Sequence, residues 1–177
     1  MYRLIIFFVL FIFLNSSKLY AQNMMEEQIF WLLIEKAWEV LPELDSRRKA
    51  ALENNIEKLA SLENQSASVS NKLYEILYAE NQESIIQFIY RLEEKLFKID
   101  REEIHEVLDG SEDFFLYNRG FIVGMGKNYY EMVDKEPEKA VPDVAFPELC
   151  FVGYKVYKDK FGEEFERGQY HNIETFS

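Results

Sequence analysis

From Phe114 onward, Phe114, Tyr117, Phe121, Met125, Tyr129 and Met132 return at steps of three or four. That spacing stacks side chains on one side of an α-helix, whereas a strand would need a period of two. Large rings recurring in this way need a second apolar surface to cover them, so the chain must pack helices about an aromatic seam. Gly120, Gly124 and Gly126 interrupt the seam, and each costs a helix interior about 0.5–1 kcal/mol relative to alanine. Two consequences are open at this point: a close helix crossing, or a kink. A phosphate-binding loop is not among them, because Gly124-Met125-Gly126 lies in neither a GxxxxGK[ST] sequence nor a strand–helix–strand pattern.

The same period runs through most of the chain. Between Met25 and Leu41, apolar residues fall at Ile29, Phe30, Leu33, Ile34, Ala37, Trp38 and Leu41, which predicts a helix that Pro42 ends or kinks. A second helix is expected from about Asp45 to Leu62, with Leu52, Ile56, Leu59 and Leu62 inward. The serine-rich stretch Glu63–Asn71 has no period and reads as a connection. A short helix around Leu73–Ala79 follows, and Glu83–Lys98 carries Ile85, Phe88, Ile89, Leu92 and Leu96 on one side. Asp100 and Glu103 have capping-box spacing ahead of a short helix ending near Leu108.

Asp109-Gly110 marks a turn, and Ser111 is placed to cap the seam helix. Pro137, Pro142 and Pro147 make Asp134–Pro147 an ordered surface connection. Pro147 then opens a last helix with Leu149, Val152, Val156 and Tyr157, ending at Gly162. Residues 163–177 are expected to be coil or a short extended segment. The expected fold class is therefore all-α: a compact multi-helix domain with a long proline-containing loop before the last main helix.

The first 21 residues have a different design. Arg3 precedes an unbroken apolar run from Leu4 to Leu14, and polar residues lead to Ala21. This is the pattern of a secretory signal peptide. Eleven apolar residues are also fewer than the roughly 17–25 that a membrane-spanning helix requires. Residues 1–21 are thus expected to be removed, leaving 22–177 as one exported domain, periplasmic or secreted, without stable membrane insertion.

Charge narrows the partners. The whole chain carries −12 at neutral pH, and loss of Arg3 and Lys18 with the leader takes it to −14. Such a surface repels nucleic-acid phosphates, while it aids encounter with a basic protein. Cys150, the single cysteine, allows no internal disulfide, and its setting in LCFVGY suggests a core position. One thiol cannot build a four-thiolate zinc site, and His105 and His171 belong to no HExxH motif. No cofactor or metal is expected, and no catalytic residue is assigned.

The segment Gly110–Pro137 resembles the central signature of the family called domain of unknown function 4240 (DUF4240). The matching positions are Ser111, Glu112, Asp113, Phe115, Tyr117, Arg119, Phe121, Ile122, Gly126, Tyr130 and Pro137. Phe30, Trp31 and Ile34 suit the family's first helix, and Glu148, Tyr154, Tyr157 and Gly162 suit its last. The chain departs from the pattern at Gly110, where a cysteine is common, and at Phe121, where a tryptophan is. It also departs at Ile104-His105, where Leu-Trp is usual, and at Asn118, where an aromatic residue is common. The resemblance implies a shared fold and brings no reaction with it.

The most suggestive polar group within that signature is Glu112, Asp113, Tyr117 and Arg119. On a helix, Asp113 and Tyr117 share one side and Glu112 and Arg119 share another. In one reading Glu112 and Asp113 serve the helix start and Arg119 makes a structural ion pair. In another these residues form a binding site, with Arg119 taking a carboxylate in a polar recess. The corresponding functional expectations are an exported binding or accessory protein, leaning away from an enzyme, and alternatively a small-molecule-binding or hydrolytic domain around Asp113, Tyr117 and Arg119.

Overall fold

A computed structural model of the chain describes residues 24–108 and 111–166, with the side chains of 112 and 113 excepted. Among the described residues, eight α-helices follow in order: α1 (Glu27–Glu39), α2 (Pro42–Asn54), α3 (Ser66–Ala79), α4 (Gln82–Lys98), α5 (Glu102–Leu108), α6 (Glu112–Gly124), α7 (Lys127–Lys135) and α8 (Pro147–Phe161). A 3-10 segment, Ile56–Gln65, joins α2 to α3, and a 3-10 turn, Pro137–Lys139, starts the loop before α8. The expected all-α domain with a proline-containing loop ahead of its last helix is what the chain forms. The proposed leader, residues 1–21, and the tail beyond 166 lie outside the described residues.

The last helix is the centre of the packing. α8 lies against α3, α4 and α6, and it buries Leu149, Cys150, Val152, Val156 and Tyr157. Close approach to α6 depends on Gly120, where an added Cβ would sit 2.6 Å from the Phe146 carbonyl oxygen and 2.7 Å from Cys150 Sγ. The seam continues past α6 but its helix does not: the backbone breaks at Met125-Gly126, and Tyr129 is carried on α7. Phe121, Met125 and Tyr129 are fully buried, while Phe114, Tyr117 and Met132 are half-buried at its edges.

Several local expectations change for identifiable reasons. Pro42 lies just beyond the end of α1 and also opens α2, since a first-turn proline gives up an amide that would have no helical partner. Asn55 turns extended after α2, so the expected helix to Leu62 divides into α2 and the 3-10 segment, in which Leu59 and Leu62 are buried. The serine-rich connection is instead α3 from Ser66 onward; Ser66, Val69 and Ser70 are buried, and tertiary packing overrides the weak helix propensity of serine. Asp100 does not cap α5, because its carboxylate faces Arg119. Ile29, expected inward, faces solvent.

The loop from Glu136 to Phe146 is ordered by specific hydrogen bonds. Val141 N–H donates to Tyr129 Oη at 2.8 Å, Ala145 N–H to Glu63 Oε1 at 2.8 Å and Phe146 N–H to the Tyr117 carbonyl at 2.9 Å. Asn118 Nδ2 donates to the Val144 carbonyl. Val144 and Phe146 are buried beneath these bonds. The start of α8 is thereby fixed against α6.

Candidate functional site

The sequence-predicted site residues occupy both sides of α6. Ser111 caps the helix, its Oγ accepting from Phe114 N–H at 3.4 Å. Glu112 and Asp113 form the first turn of α6, and their side chains lie outside what is described. Tyr117 is half-buried, and Arg119, two residues on and therefore on the opposite side, is only 2% exposed. The Arg119 guanidinium donates to the Leu96 carbonyl at 3.0 Å and pairs with Asp100 Oδ2 at 2.9 Å. It also lies over the Phe115 ring, 4.8 Å from the centroid. Burial lowers its pKa, and Asp100 only partly opposes that shift.

A second buried arginine anchors the most developed polar cluster. Arg48 projects from α2 with Asp45 and Ala51 on the buried side of an otherwise polar helix. It grips Glu35 of α1 with two bonds, Nη1 to Oε1 at 2.9 Å and Nη2 to Oε2 at 2.5 Å. Asp45 Oδ1 accepts from Nε at 3.1 Å and from Nη2 at 2.7 Å, and the Met125 carbonyl accepts from Nη1 at 2.8 Å. The guanidinium lies 4.9 Å from the Trp38 ring centroid, and Trp38 Nε1–H in turn donates to the Gly124 carbonyl at 2.8 Å. Burial alone would lower the Arg48 pKa; the pairing with Glu35 and then Asp45 outweighs it and holds the group above its ordinary value.

Gly126 completes this cluster. Its φ of +95° suits glycine, and a Cβ there would collide with Glu35 Oε1 and Arg48 Nη1. The Gly-Met-Gly sequence is therefore the turn that lets α6 end against α1 and α2, presenting the Met125 carbonyl to Arg48. Above the cluster, a cleft of about 380 Å³ opens between α1, α2 and the start of α7. Trp31, Leu32 and Leu52 give it apolar walls, Arg48 and Glu35 form its base, and Lys49 and Lys127 stand at its mouth.

The outer side of α1 continues from that cleft. Ile29, Leu32 and Val40 are 45%, 50% and 56% exposed, at helical spacings that bring them to one side. Phe30, Trp31, Ile34, Ala37 and Trp38 fill the core from the other side of the same helix. Beside the stripe, Glu39, Ser46, Lys49, Ala50 and Glu53 line a shallow groove of about 450 Å³. α1 thus has apolar surface on both its inner and its outer sides.

Other chemically suggestive groups are absorbed by the fold. Cys150 is buried, and burial pushes its thiol up to about 12. His105 packs against the Phe115 ring at 4.4 Å. Among the described residues, no group of three or more His, Cys, Asp or Glu side chains could hold a metal ion, and no helix is long and apolar enough to cross a membrane. Sequence reading missed Glu35 and Arg48. The available signals were an arginine three residues from an aspartate on a proline-started helix, and a glycine pair with no nucleotide motif to explain it.

The family model described as "Protein of unknown function (DUF4240)" matches residues 25–159. This span runs from just before α1 almost to the end of α8 and includes both buried arginines. No curated protein and no solved structure matches the chain.

Proposed function

The chain belongs to the DUF4240 family, and within it we propose the role of an exported binding domain that docks a basic, amphipathic protein segment on the α1–α2 face. The observation that carries this reading is exposed Ile29 and Leu32, with Val40 just past the helix end, on the outer side of α1, whose other side is committed to the core. A solvated helix with no partner normally keeps that side polar. Lys36 and Lys49 stand among Glu39 and Glu53 beside the stripe, so it is the net charge of −12 that favours a cationic partner and speeds its encounter.

Hydrolysis around Asp113, Tyr117 and Arg119 has less support. Arg119 is committed to Asp100 in the core, and the one thiol is buried and protonated at neutral pH. Export rests on residues 1–21. Protein recovered from the periplasm or medium with Gln22 at its N-terminus supports it; intact Met1 on protein confined to the cytoplasm contradicts it.

Docking is tested by calorimetry with two synthetic amphipathic helical peptides of equal length, each with leucines at steps of three and four and the remaining positions lysine in one and glutamate in the other. The lysine peptide binds, its affinity falls as salt rises, and Leu32→Asp abolishes binding without changing the circular dichroism spectrum. Equal binding of both peptides, or undiminished binding to Leu32→Asp, overturns the assignment.

A further inference from the structure

A separate groove of about 460 Å³ lies between α3 and α8. Phe151 and Tyr74 are its half-buried walls and Val152 is its buried floor. Tyr74 is held in place, since its hydroxyl donates to Asp159 Oδ2 at 3.0 Å. Lys155 Nζ donates to the same oxygen at 2.7 Å and lies 5.4 Å from the Tyr74 ring centroid. One of the three ammonium protons is thereby used, which leaves two for a ligand. Glu148, exposed at the opposite end, has no hydrogen bond or ion pair among the described residues.

The two positions define a length. Glu148 and Lys155 are seven residues apart on α8, so their backbones stand on one side of the helix about 10 Å apart along its axis, with the Lys155 ammonium held at the Asp159 end. An extended peptide advances about 3.3–3.6 Å per residue, so a chain of about three residues reaches from one charge to the other. Its ammonium end meets the Glu148 carboxylate and its carboxylate end meets Lys155. The side chain between them rests on Phe151, Val152 and the pinned Tyr74 ring. Asn71, exposed on the rim from α3, supplies an amide donor and acceptor for the peptide backbone.

We infer that the α3–α8 groove binds a short zwitterionic peptide of about three residues with an apolar central side chain, oriented with its N-terminus at Glu148. This site shares no residue with the α1–α2 face and stands or falls independently of it. A free amino acid is too short to reach both charges, and a fatty acid brings nothing for Glu148.

The inference is tested by calorimetry on the purified protein with the tripeptide Ala-Leu-Ala, its N-acetylated and C-amidated form, and free leucine. Ala-Leu-Ala binds; blocking both ends or supplying leucine alone weakens binding about tenfold. Glu148→Gln and Lys155→Gln each weaken binding of the free tripeptide about fivefold, the loss of one partly exposed ion pair. Both substituted side chains are on the surface, so melting temperatures stay unchanged and the loss reports on the site. Phe151→Ala abolishes binding, and its circular dichroism spectrum checks that α8 is intact. Absence of binding at millimolar Ala-Leu-Ala, equal binding of the blocked peptide or of leucine, or unchanged affinity in both charge variants overturns the inference.

Discussion

The two buried arginines, Arg48 and Arg119, show how the same side chain at the same burial can have opposite electrostatics. Both are 2% exposed. Arg48 faces two carboxylates and a carbonyl, and its pKa is raised; Arg119 faces Asp100 and the Leu96 carbonyl, and burial lowers its pKa. The partners differ as well. Glu35 is 32% exposed and Asp45 also holds Lys49 at 2.6 Å, whereas Asp100 is 4% exposed with a buried Oδ1 that lacks a hydrogen-bond partner. The number of bonds to an arginine therefore does not set the cost of losing it. What decides is whether the carboxylate left behind can reach water or another cation.

The comparison makes Arg119→Met the most damaging change. It strands Asp100 in the core and is expected to cost about 3–5 kcal/mol in urea unfolding. Pairing it with Asp100→Leu should restore most of that stability, since replacing both partners removes the buried charge altogether. Arg48→Met, although it breaks five hydrogen bonds, is expected to cost about 2–3 kcal/mol, because Glu35 turns to solvent and Asp45 keeps Lys49. A larger loss for Arg48→Met than for Arg119→Met would break the comparison.

Gly126→Ala sharpens it from the backbone side. The positive φ and the collision with Glu35 and Arg48 should together cost about 2 kcal/mol. Most of that penalty should vanish in an Arg48→Met background if the collision, not the φ, dominates; thermal unfolding of the wild type and the three variants of the cycle decides it.

The smallest effect is that of acid. Burial would raise the Asp45 pKa, but its bonds to Lys49 and Arg48 prevail and hold it below the ordinary 3.8. A carboxylate lowered in the folded state contributes stability that is complete above its unfolded pKa and is lost as pH falls through the folded one. Stability of the wild type should therefore drop below about pH 4, and Asp45→Asn should flatten part of that drop. An unaltered acid limb in Asp45→Asn would remove Asp45 from the account.

Helix identity was legible from the sequence wherever one side of the helix had to be buried. The three-to-four spacing located α1, α4 and α8 to within a few residues and the start of α6, but it ran on to Met132, past the end of α6 at Gly124; Ser111, Pro147 and Gly162 marked helix ends where expected. α3 was not legible at its start, because Ser66 and Ser70 are buried by their neighbours and not by their own hydropathy. The polar group in the DUF4240-like signature was only half legible. Arg119 does make an ion pair, but with Asp100, nineteen positions earlier and in a position that read as a helix cap.

Local pattern thus determined most of the helical segments, where the aromatic seam runs and that an apolar run, Leu4–Leu14, precedes an acidic chain. Those properties depend on neighbours three or four residues away and on charge totals, which a linear sequence records directly. The tertiary structure alone decided that Glu35 meets Arg48, that Gly126 lies under both, and that Ile29 and Leu32 stay outside while Trp31 goes in. Such choices depend on which helix faces which, and that is settled by close packing among segments far apart in the chain.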